Sequence, residues 1–273
     1  MRRSNDLRKC SQGVAALMLA GAAVLGHPPV LAGPVLERVE ALASVRVCIW
    51  PDYYGITWRS PLDQKLAGID IDLSAELARD LRVKLQYVDS SFPKLVEDLT
   101  HDRCDVAMFA IGVTAPRQQV LRFTRPYLQS DIYGVTTRNH PLVKTWDDID
   151  KPAVKVAVQA GTFMEPVMRA ALKRAKMVVI EPPQTREQEL ESGRIDVFMT
   201  DYPYSRRLLD RVDWARIVAA PSPFSLMPYA YAVKPGDEEW LKKIDQFVTQ
   251  IKHDGRLEAA AKKSGLNDIV VRN

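Results

Sequence analysis

Asp102-Arg103-Cys104-Asp105-Val106-Ala107-Met108 returns further along the chain as Gly193-Arg194-Ile195-Asp196-Val197-Phe198-Met199. A second correspondence precedes each copy, Val45-Arg46-Val47 matching Val154-Lys155-Val156. Self-similarity of this kind marks a repeated structural unit. Around both copies, strand-like and helix-like segments alternate. In the first, strands at 45–50, 84–88 and 105–110 are separated by helices at 72–81 and 91–100. Leu73, Leu77 and Leu81 stripe one helix, and Phe92, Leu95, Val96 and Leu99 face inward on the other. Thr114 then caps a short helix with Pro116 in its first turn. In the second copy, the capping box Thr162-x-x-Glu165 opens a helix over 162–174 between strands at 155–159 and 177–180. Thr185-x-x-Gln188 opens another helix, Gly193 closes it, a strand follows at 195–200, and Pro203 begins one more helix. A strand at 229–233 and helices at 237–252 and 256–263 end the chain. The alternation predicts an α/β fold with parallel sheets, arranged as two βαβ lobes with a cleft between them.

The rest of the composition agrees with such a chain. It has 273 residues, 47% of them hydrophobic and 26% charged, with 38 Lys+Arg against 34 Asp+Glu. That length supports one large or two medium domains with real cores and excludes a disordered, collagen-like or coiled-coil chain. A net charge of +4 without clustered cations argues against nucleic-acid binding. Arg2, Arg3, Arg8 and Lys9 precede an apolar run, Val14 to Leu25, and then Val30-Leu31-Ala32. This is the pattern of a secretory signal peptide over 1–32, cut after Ala32, and the run is too short to span a bilayer as a helix. The competing reading is an uncleaved anchor. Four of the basic residues and one acidic residue belong to this segment, so the exported remainder is close to neutral and lacks a second spanning run.

Export gives the cysteines weight. Cys48 lies in the first strand and Cys104 opens the third. If those strands are neighbours in one parallel sheet, the thiols meet and close a loop worth about 4 kcal/mol in the chain-entropy model. Otherwise they are two buried free thiols. Four scattered His and no Cys-x-x-Cys speak against a metal site, and no cofactor is called for.

Ligands of open α/β sheets sit at the carboxyl ends of the strands. The segments there are Pro51 to Trp58, Ile111 to Arg117, Ala160 to Phe163 and Asp201 to Tyr204. Together they hold a cation, carboxylates, a helix N-terminus and several aromatics, a set suited to a small zwitterion.

At this point the chain resembles the family 3 periplasmic solute-binding proteins, the amino-acid-binding components of ABC importers. Gly68-Ile69-Asp70-Ile71-Asp72-Leu73 resembles the family's Gly-Phe-Asp-x-Asp-Leu signature. Asp105 to Arg117 resembles its strand and Thr-x-x-Arg motif, and Phe123-Thr124-Arg125-Pro126-Tyr127 its Phe-Ser-x-Pro-Tyr. Val158-Gln159-Ala160-Gly161-Thr162 and Gly193 to Asp201 match two further motifs, all in order over nearly all of 44–265. The resemblance implies a type II periplasmic-binding-protein fold, with one lobe from 33–128 plus 229–273, the other from 129–228, and crossings near 128–132 and 223–229. It implies that Arg117 holds a ligand carboxylate together with the backbone at Gly161 and Thr162, that Asp201 accepts the α-ammonium, and that Tyr54, Trp58 and Phe92 form an aromatic wall. Ala110 and Gly112 stand where the family often has hydroxyl residues, which leaves only backbone N–H and C=O for the ligand there. The implied function is non-enzymatic capture of an amino acid or similar small acid in the periplasm by hinge closure, with delivery by a monomer to a separate inner-membrane permease. Two alternatives stay open. One is a cyclohexadienyl-dehydratase-like enzyme, with Glu165 as the nearest acid/base candidate. The other is an accessory binding protein of a periplasmic quinoprotein dehydrogenase, which cysteines placed like Cys48 and Cys104 also resemble.

Overall fold

The computed structural model describes residues 33–272; the expected signal peptide lies outside the described residues. Helix α1 (Pro34–Leu42) leads into strand β1 (Ser44–Ile49), then three short strands, β2 (Asp52–Tyr53), β3 (Thr57–Arg59) and β4 (Leu66–Ala67). Helix α2 (Ile69–Leu81), β5 (Lys84–Asp89), α3 (Leu95–Thr100), β6 (Val106–Gly112), α4 (Ala115–Val120), β7 (Arg122–Phe123) and β8 (Leu128–Ser130) follow. Next come β9 (Ile132–Thr137), β10 (Lys155–Gln159), α5 (Met164–Ala171), β11 (Lys176–Ile180), α6 (Arg186–Glu191), β12 (Val197–Asp201), α7 (Tyr202–Leu209) and β13 (Ala215–Val218). Strand β14 (Met227–Val233) and helices α8 (Glu238–His253) and α9 (Arg256–Ser264) complete the order.

The strands form two main sheets. The first runs β5-β1-β6-β14-β7, with β8 beside β14; the second runs β11-β10-β12-β9-β13. In each, three strands of one repeat are parallel: β1 with β5 and β6, and β10 with β11 and β12. The repeated sequence has a shared physical job. Asp105 accepts the backbone N–H of Arg46 at 2.7 Å, and Asp196 accepts that of Lys155 at 2.7 Å. Their own N–H groups return bonds to the carbonyls of Arg46 and Lys155. The recurring aspartate thus pins the start of one parallel strand to the next, where the ladder would otherwise leave edge groups unpaired. Parallel strands are covered on both faces, so they read as unbroken apolar runs; β6 is buried along its whole length.

Cys48 lies in β1, whereas Cys104, expected to open the third strand, lies just ahead of β6, which starts at Val106; the two are joined by a disulfide, with Cα atoms 5.6 Å apart. No helix among the described residues is long and apolar enough to cross a membrane.

The chain passes from the first sheet to the second between Ser130 and Ile132, and back between Val218 and Met227. Asp131 ties these segments together. Its carboxylate accepts the N–H groups of Ile132, Phe224 and Ser225 at 2.8, 2.7 and 2.6 Å.

Three local expectations are corrected. The helix predicted from Ser91 starts at Leu95, so Phe92 lies in the preceding turn. The helix predicted over 162–174 spans Met164–Ala171, because the Thr162 hydroxyl donates to the Gln159 carbonyl at 2.8 Å instead of capping. Glu165 still reaches back, but to the N–H of Gly161. Thr114 holds the N-cap position of α4 without a side-chain bond.

Candidate functional site

The carboxyl ends of β1, β6, β10 and β12 converge on one crevice between the two sheets. Its innermost cavity is lined from the first sheet's side by Trp50, Tyr53, Phe92 and Ala110. Thr162, Phe163, Arg186, Thr200 and Tyr204 face them, and Tyr229 of β14 closes one end. The side chains are packed so closely that a cavity of only about 10 Å³ remains, the size of a single water. The aromatic rings meet at edges and tilts: Trp50 lies 5.3 Å from both Tyr53 and Phe92, and Phe92 5.2 Å from the fully buried Phe109.

Asp201 ends β12, where extended backbone turns into α7. One carboxylate oxygen caps that helix by accepting the Tyr204 N–H at 3.1 Å. The other accepts the hydroxyls of Tyr53 and of Tyr229, the latter at 2.8 Å. The group is 1% exposed. Burial raises its pKa, although the three hydrogen bonds favour the charged form. Tyr53 and Tyr229 are pushed well above the usual tyrosine range by burial and by the neighbouring carboxylate, so both remain donors.

Arg117 rises from the first turn of α4. Its guanidinium donates to the carbonyl of Gly112 at 2.9 Å and, across the crevice, to that of Gly161 at 2.8 Å, and it lies over Phe92 at 5.3 Å. It makes no ion pair among the described residues, and burial lowers its pKa to about 10. A cation desolvated against carbonyl oxygens and a ring, with no carboxylate beside it, is poised to attract an anion.

Gly161 has φ +71, and a Cβ there would lie 2.8 Å from the backbone nitrogen of Pro93. Only glycine lets this turn approach the opposite half so closely. Ala110 also has positive φ, +49, and its N–H donates at 3.0 Å to the buried carboxylate of Asp70, which Tyr127 and Tyr231 also hold. Of the backbone groups at 110 and 112, the Ala110 N–H is thus taken by Asp70, and the Gly112 carbonyl accepts from Arg117. Thr162 presents its side chain to the cavity, while its N–H is turned to the Gln159 carbonyl at 3.3 Å.

Arg117, Asp201, Gly161, Gly112, Thr162, Ala110 and Phe92 are therefore brought to one place. Tyr54 and Trp58 lie further out. Their rings, 5.9 Å apart, line an outer groove in which Tyr54 stacks on Tyr204 at 4.8 Å and Trp58 faces Arg211 at 3.6 Å. Tyr53, not Tyr54, enters the inner cavity. The sequence reading passed over Tyr53, Tyr229 and Arg186. Glu165, the acid/base candidate, is occupied by the Gly161 N–H and by Arg169 at 2.9 Å.

Comparison with known proteins bears on the family and the fold. Residues 45–266 match the family model of bacterial extracellular solute-binding proteins, family 3. The chain is 31% identical over 224 residues to a cyclohexadienyl dehydratase of Pseudomonas aeruginosa, covering 81% of this chain and 82% of that one. It is 26% identical over 230 residues to the L-cystine-binding protein TcyJ of Escherichia coli, covering 84% and 85%. Among solved structures, an ancestral amino-acid-binding protein described as a precursor of cyclohexadienyl dehydratase superposes with a TM-score of 0.76 at 28% identity, covering 84% of this chain and 98% of that one.

Proposed function

The chain belongs to the bacterial extracellular solute-binding proteins of family 3, and from that premise we propose that it captures an amino acid or closely similar small acid in the periplasm. Two lobes, one built on each sheet, close on the ligand about the crossings braced by Asp131, and an inner-membrane importer takes the ligand from the closed form. Closure about two crossing segments needs few backbone changes. The ligand drives it only through contacts made better in the closed form.

The observation that carries this reading is the disposition of opposite charges about the crevice. Arg117, without a carboxylate partner, bridges to Gly161 from one half. Asp201, on the other half, is held by hydroxyls of Tyr53 and Tyr229 and by one N–H. A ligand carboxylate takes the guanidinium bonds now made to two carbonyls, and a ligand ammonium takes the remaining acceptor site of Asp201. Calorimetric titration with a panel of amino acids tests it. Arg117→Ala and Asp201→Asn are each expected to weaken binding by at least about 2 kcal/mol, because a ligand charge is left buried and unpaired. Unchanged affinity in both variants would overturn the assignment.

The identity with the dehydratase favours a second reading, a decarboxylative elimination in the same crevice. The ring carboxylate of prephenate would leave as CO2, the electron pair of that broken C–C bond would enter the ring as the C–O bond to the hydroxyl breaks, and Asp201, whose pKa burial raises, would protonate the hydroxyl so that it leaves as water; Glu165 is engaged elsewhere. Incubation with prephenate, followed by the absorbance of phenylpyruvate, separates the two: turnover lost in Asp201→Asn supports the enzyme, and none leaves capture.

A further inference from the structure

The inner cavity contains a second cation. Arg186, the first residue of α6, is 3% exposed yet belongs to the cavity lining. Its guanidinium lies over the ring of Tyr204 at 4.2 Å and that of Phe198 at 5.2 Å, and donates to the Met199 carbonyl at 3.3 Å. A guanidinium has five N–H donors in a planar fork; the Met199 carbonyl and the Tyr204 hydroxyl account for part of them. Arg186 makes no ion pair among the described residues. The carboxylates of Glu187, which accepts the Tyr204 hydroxyl at 2.5 Å, and of Asp201 act on it through space. Two aromatic faces hold the charge in place and leave its edge toward the cavity. Buried guanidinium groups of this kind are ordinarily paired.

We propose that Arg186 receives a second acidic group of the ligand, so that the site selects amino acids carrying an acidic side chain over neutral and basic ones. The inference rests on the capture reading given above and narrows its ligand class. The unused donors support it. Glu187 and Asp201 act on Arg186 through space without forming an ion pair with it, so its fork keeps N–H groups for a ligand oxygen. A neutral amino acid leaves those donors without a charged acceptor. A basic one adds a third positive charge to the same enclosed space. The planar fork suits a carboxylate, which it meets with two parallel bonds. The aromatic walls on either side allow for the ligand's carbon chain.

Calorimetric titrations with L-glutamate, L-aspartate, L-glutamine and L-arginine read this directly. The wild type is expected to bind an acidic member about 10- to 100-fold more tightly than L-glutamine, the range of one charge-assisted pair. In Arg186→Gln that preference is expected to collapse, and Arg186→Lys is expected to keep part of it. L-glutamine or L-arginine binding more tightly than both acids overturns this inference and leaves amino-acid capture standing. Failure of both acids to bind overturns this inference, whereas the capture reading falls only if the wider amino-acid panel also fails. The wild-type ranking alone decides the matter if the substituted chains do not fold.

Discussion

Replacing Asp70 by Asn should remove a large, one-signed pH dependence from the stability of the protein. Asp70 lies in the first turn of α2, fully buried, and accepts bonds from the Tyr127 hydroxyl at 2.5 Å, the Tyr231 hydroxyl at 3.0 Å and the Ala110 N–H at 3.0 Å. Burial raises its pKa from 3.8 to about 7, and the hydrogen bonds, which act the other way, do not prevail. The folded state therefore holds a proton that the unfolded chain has released between these two values. Asp70's contribution to stability is complete below about pH 4 and is lost as pH rises through about 7, the opposite of a salt-bridged carboxylate. At 1.36 kcal/mol per unit, the whole shift is worth about 4 kcal/mol. Urea unfolding of wild type and Asp70→Asn at pH 4.5 and pH 8 isolates it, since every other titrating group is common to both. The variant should gain about 3 kcal/mol on the wild type between the two pH values, because part of the window lies below 4.5. Stability curves parallel within about 0.5 kcal/mol would refute the reasoning. They would mean that the tyrosine hydroxyls and the Ala110 N–H stabilise the carboxylate as fully as water does.

Three further outcomes are expected. Cys48→Ala with Cys104→Ala opens a cross-link across a 56-residue separation; the lost chain constraint of about 4 kcal/mol should lower the calorimetric melting temperature by about 10 °C, and a fall under about 3 °C would count against it. Gly161→Ala, which places a Cβ at positive φ against Pro93, should cost about 1–2 kcal/mol in urea unfolding, weaken ligand binding at least tenfold and reduce ligand-induced compaction in small-angle scattering; unaltered binding would show that this approach does not matter. Asp131→Ala strips acceptors from three N–H groups and should cost about 2–3 kcal/mol in urea unfolding, while Asp131→Asn, which keeps one acceptor oxygen, should cost less.

The two-sheet plan was legible because the repeat is functional in folding. Asp105 and Asp196 each pin one parallel strand to another, which gives the same residue the same task in both repeats. The disulfide was one of two readings left open by the sequence, and it forms because Cys104 lies just ahead of β6, beside β1. Short strands were not legible: β2, β3 and β4 have two or three residues each, too few for any period to show. Phe92 fitted a helical stripe, yet Pro93 keeps its backbone outside the helix. Thr162 and Glu165 have capping-box spacing, but the hydroxyl found a nearer carbonyl. In the site, Arg117 and Asp201 stood at strand ends, where chemistry is sought first. Tyr53 and Tyr54 are neighbours in a non-periodic segment, and nothing local says which one turns inward. Arg186 looked like any polar residue after a capping threonine; its burial comes from α6 packing beside β12, a contact set by topology.

The order of strands in the first sheet bears on how the molecule is made. Strand β14 sits between β6 and β7, and Val271 adds a bond to Tyr127, whereas all strands of the second sheet fall within 132–218. A chain that becomes available from its amino end thus presents a complete set of partners for the inserted half while the outer half still lacks a central member. The earlier segments β1, β5 and β6 must wait with an unpaired edge until residues 227–233 arrive, and long-range pairings of this kind form slowly and aggregate readily. During that interval the covalent tie between Cys48 and Cys104 can hold β1 beside the start of β6.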